Sequence, residues 1–87
     1  MTPTLVELKR QTQDNLIAFL QTETQLAATF CDSFQRTQNQ ERRARLHGDI
    51  QKIVNTLLHF GERIADDSIR ADILINAEKL NEFLVRN

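Results

Sequence analysis

Tryptophan and tyrosine are absent from these 87 residues, glycine occurs only twice, and proline and cysteine once each. The shortage of glycine and proline removes the usual punctuation of hairpins, while the abundant Leu, Ala, Gln, Glu and Arg favour helix. Cys31 stands alone and has no partner for an internal disulfide, which suits a reducing compartment. No segment approaches the roughly 20 apolar residues of a membrane span. The opening MTPTLVELKRQTQDN carries charges where a signal peptide needs an unbroken apolar run, so a cytoplasmic location is expected. Eleven Lys and Arg against twelve Asp and Glu leave no global charge to draw the chain to nucleic acid or to an anionic membrane.

The signatures of chemistry are also missing. There is no phosphate loop, glycine-rich dinucleotide turn or nucleophilic serine motif. No Glu-x-x-His pair of the di-metal carboxylate kind occurs. His47 and His59 fall about 120° apart on a helix, too far apart to share a metal. Cys31 has no histidine at a helical neighbour position to activate it. A non-enzymatic protein without cofactor, metal or small-molecule ligand is the expectation.

What remains is a pattern of amphipathic helices. Hydrophobic residues make up 40% and charged residues 26%, enough for one small domain whose modest core would benefit from a second subunit. Leu5, Leu8, Leu16, Phe19, Leu20, Leu26, Ala27, Phe30 and Phe34 recur at spacings of three and four, which predicts a first helix over about 4–36. Thr4 and Glu7 form a candidate capping box, with Thr2 before Pro3 as the competing start. Leu46, Ile50, Ile53, Val54, Leu57, Leu58 and Ile64 predict a second helix over 39–64, capped by Thr37 or Asn39, with Gly61 able to end it early. Ile69, Ile73, Ala77, Leu80, Phe83 and Leu84 predict a third over 67–86, started by Asp66, Asp67 or Ser68.

At about 100° per residue the second stripe is turned about 140° from the first, and the third about 150° from the second. No straight rod can serve all three, so the chain must fold back twice into an up-down-up three-helix bundle. The first helix is then too long for its partners, which leaves Leu5, Val6, Leu8 and Leu16 overhanging. A break near Asp14 and Asn15, cover by the third helix, or a second copy of the chain could each resolve this. The second copy is favoured, because symmetric dimers are the commonest oligomers. Ile75 and Val85 on the back of the third helix extend the candidate surface for a homodimer or for another helical protein.

Two groups of polar residues interrupt this pattern. Glu23 lies on the apolar stripe of the first helix, Asn76 on that of the third, and the turns set them at one level. A buried polar layer is expected there, with Glu23 bonded to Asn76 or to a group across a dimer. A general base or metal ligand at Glu23 finds no supporting residues. Residues 36–52 hold five Arg and Lys against two acids. However, Arg42, Arg43 and Arg45 point in different directions on a helix, and all five aromatics are Phe on apolar faces or helix flanks. Arg36, Arg42, Arg43 and Arg45 are the residues a nucleic-acid contact would use, but the solvated start of a helix is the favoured reading.

Overall fold

The chain forms three helices, α1 (Leu5–Arg36), α2 (Gln40–Gly61) and α3 (Asp67–Arg86), packed as an all-α bundle in a computed structural model that describes residues 4–87. Each starts on a capping side chain. Thr4 Oγ1 accepts the Glu7 amide at 3.2 Å while the Glu7 carboxylate accepts the Thr4 amide at 3.2 Å. Thr2 and Pro3, the competing start, lie outside the described residues. Asn39 caps α2 by accepting the Arg42 amide at 2.9 Å, and Asp66 caps α3 by accepting the Ile69 amide at 3.0 Å. These bonds satisfy amides that have no partner within the helix.

α1 runs unbroken through Asp14 and Asn15 for 32 residues. It sets the long axis of a molecule measuring 54 × 24 × 16 Å. Leu20 and Ala27 of α1, Ile53 and Leu57 of α2, and Ile73 and Ala77 of α3 meet in one core with Ile64 of the second turn. A smaller cluster of Ile50, Val54 and Leu84 continues it, and Phe30 and Leu80 touch both. Val54, a member of the second apolar stripe, is 1% exposed in this cluster.

The second helix stops at Gly61, three residues before the expected end at 64. Tighter bonds then close the turn, from the Arg63 amide to the Phe60 carbonyl at 3.0 Å and from the Ile64 amide to the Gly61 carbonyl at 3.2 Å. Ile64 is buried all the same and anchors the turn. Gly61 is not needed for a left-handed backbone, since no glycine has positive φ. It is needed for close approach, because a Cβ there would meet Leu74 Cδ2 at 3.1 Å and Ile73 Cγ2 at 3.2 Å. Gly48 is the opposite case, with open space around it in mid-helix. We expect Gly48→Ala to stabilise the protein by about 0.5–1 kcal/mol, and Gly61→Val to destabilise it by about 1–3 kcal/mol through overpacking. Urea unfolding of both variants checks the pair.

Candidate interaction surface

On α1 the residues that enter the bundle and those left outside it form two parallel rows. The inner row, Gln13, Leu20, Ala27 and Phe34, advances in steps of seven. Leu20, Ala27 and Phe34 are buried, and Gln13 grips the α2–α3 turn. The Gln13 Nε2 donates to the Arg63 carbonyl at 2.9 Å, and Oε1 accepts the Ala65 amide at 2.9 Å. Gln13 therefore marks where the bundle ends along α1. Nothing in the sequence singled it out, because a glutamine on a helix flank has no pattern. Gln13→Ala should cost about 1–2 kcal/mol through the two lost bonds, measurable by thermal unfolding, with faster amide exchange at Ala65.

Residues 5–12 project past that point, about 12 Å of helix. Leu5 is 68% exposed and Leu8 45%, so neither a break in α1 nor the third helix resolves the overhang. Leu5, Leu8, Lys9 and Thr12 instead line an open groove with Gln13 and Ala65. The outer row begins here and again advances by sevens, through Leu5, Thr12, Phe19 and Leu26. Phe19 and Leu26 are 47% and 41% exposed, so these two members of the first apolar stripe stay outside the core. The threonines on this side add little polarity. Thr12, Thr22 and Thr29 donate their hydroxyls back to the carbonyls of Leu8, Ala18 and Gln25 of the same helix.

Other expected members of the surface fall elsewhere. Leu16 is half-buried against the main core, because the seven-residue step carries it to the inner side. Val6 is exposed but lies about 160° around the helix from Leu8. Ile75 and Val85 are exposed on α3, about 80° apart around that helix.

Within one chain the expected bond between Glu23 and Asn76 does not form. Glu23 and Asn76 are both half-buried, no polar residue is buried among the described residues, and no hydrogen bond joins the two. Glu23 lies on the side of α1 toward the outer row, whereas Asn76 lines a groove between α1 and α3 with Thr24 and Asp72. Two helical faces at one level need not face each other. Among the described residues Glu23 and Lys9 take part in no ion pair; the two pairs there are Arg36 with Asp32 at 3.2 Å and Arg70 with Asp67. Asp49 forms no ion pair with Arg45 or Lys52, although each lies within about one helical turn of it.

Three of the four arginines in residues 36–45 lie along two adjoining clefts. Arg36 and Arg42 line one small cleft with Ser33 and Thr37, and Arg42 and Arg45 line the next with Asn39 and Glu41. Arg43 turns the other way, its guanidinium 4.3 Å from the centre of the Phe34 ring and donating to the Thr37 carbonyl at 3.4 Å. Its stem covers the apolar edge beside Phe34. His47 Nε2 lies 3.1 Å from the Leu84 carbonyl, to which it donates near the end of α3. Cys31 packs against the Ile50 and Val54 cluster, and burial pushes its thiol above the ordinary value, which disfavours the reactive thiolate.

Among the described residues no three His, Cys, Asp or Glu side chains converge as metal ligands. No helix there is long and apolar enough to cross a membrane. No family model, curated protein or solved structure matches the chain.

Proposed function

We propose that this protein is a small, non-enzymatic helical interaction module of the cytoplasm that acts as a homodimer through the outer row of α1. One observation carries the proposal: the exposed Leu5, Leu8, Phe19 and Leu26 follow one side of a single long helix, including the part that projects beyond the α2–α3 turn. Scattered exposed aliphatics are ordinary on a protein surface, but an aligned set on a helix is the usual form of a helix-docking face. A free, partly buried thiol at Cys31 suits a reducing compartment.

Sedimentation equilibrium from micromolar to millimolar concentration tests the proposal. The mass should rise from that of one chain to that of two, and a single-chain mass throughout would reject the homodimer.

A further inference from the structure

The outer row and two charged residues beside it define how the copies would meet. Written as a heptad, the row places Leu5, Thr12, Phe19 and Leu26 at one seam position, and Leu8, Asn15, Thr22 and Thr29 at the other. Lys9, Leu16, Glu23 and Phe30 flank this seam on one side. Lys9 is exposed and Glu23 half-buried. We propose that α1 pairs antiparallel with α1 of a second copy about a two-fold axis between Gln13 and Asp14, so that Leu8 of each packs on Phe19 of the other and Lys9 of each meets Glu23 of the other. This register rests on the self-association proposed above.

Charge complementarity selects this arrangement from its neighbours. In antiparallel helix pairs the two seam positions face each other, and like flanking positions meet across the seam. With the axis between Gln13 and Asp14, the layers run Leu5 on the partner subunit's Thr22, Leu8 on the partner's Phe19, and Thr12 on the partner's Asn15, then repeat by symmetry. On this side the flanking positions that meet are Lys9 and the partner's Glu23, twice, with Leu16 and the partner's Leu16 between them.

Other registers lose these matches. Moving the axis to Ile17 sets Lys9 beside Phe30 and Glu23 beside Leu16, which strands both charges against apolar groups. Moving it to Arg10 sets Leu8 on Thr12 and Lys9 beside Leu16. A parallel pairing sets Glu23 beside Ala18 and Lys9 beside Thr4. Only the first register gives the carboxylate of Glu23 a cation and Phe19 an apolar partner at once. Its central polar layer, Thr12 with Asn15, would penalise slippage, as a lone seam asparagine does in other helix pairs.

The test is charge reversal read by sedimentation equilibrium at low salt. Lys9→Glu sets two carboxylates against each other at both flanking contacts, and Glu23→Lys sets two ammonium groups against each other there. Each single variant should therefore self-associate about tenfold more weakly than the parent. An equimolar mixture of the two single variants should recover association stronger than that of either variant alone, because the mixed dimer has one contact of two unchanged residues, Lys9 with Glu23, and one contact with the charges exchanged, both attractive. The differences should shrink in 1 M salt, where screening is short-ranged, about 3 Å. Lys9 is exposed on the overhang, so Lys9→Glu and its mixture with the parent carry the test even where Glu23→Lys lowers helicity. A dimer whose strength is indifferent to both reversals overturns this register and leaves homodimerisation standing. A parent protein that stays a single chain at every concentration overturns both.

Discussion

Leu20→Ala is expected to lower the free energy of unfolding by about 2–5 kcal/mol, the range seen for truncating a fully buried leucine. Leu20 is 0% exposed and belongs to the cluster in which all three helices meet. The loss combines the transfer of several methyl and methylene groups with the cavity left between helices that cannot close on it. In a domain of this size that is a large share of the total stability. Urea unfolding followed by far-UV circular dichroism should show the midpoint collapsing toward zero denaturant. A change below about 1 kcal/mol would mean that the three helices do not converge on Leu20.

Phe19→Asp, one residue earlier, should have the opposite profile. Its ring is 47% exposed and points about 100° away from Leu20 around the helix. The monomer at high dilution should therefore keep its helicity and unfold within about 0.5 kcal/mol of the parent, as surface substitutions usually do. Self-association should weaken about 30-fold or more, the scale of losing a central apolar anchor and desolvating a charge in its place. Ile75→Asp is the control. Ile75 is 48% exposed on α3, away from the outer row of α1, and its replacement should leave association unchanged. Equal effects from both variants would point to a general loss of solubility rather than to one face.

Phe19 and Leu20 also show what could be read from the sequence. The out-of-phase stripes required two reversals of the chain, and the caps at Thr4, Asn39 and Asp66 could be seen as residue types just before periodic segments. The structure has both. The division of α1 into inner and outer rows was harder to read. Spacings of three and four gather Leu16, Phe19, Leu20, Leu26 and Ala27 onto one broad face, whereas the bundle uses a narrower row in steps of seven. Which half of a broad face is buried depends on where the other two helices sit. Glu23 and Asn76 failed as a pair for the same reason, since level along the axis can be counted from the turns but direction around it cannot. The clamp at Gln13 and the close approach at Gly61 depend on groups roughly 50 and 13 residues away in sequence, to which local pattern gives no access.

The central claim is that the side of α1 left outside the bundle is where a second copy binds. The most direct measurement is sedimentation equilibrium of the parent beside Phe19→Asp over the same concentration range. A dimer for the parent and a single chain for the variant, with both folded, is the predicted result. A parent that remains a single chain, or a variant that dimerises as strongly as the parent, would contradict it.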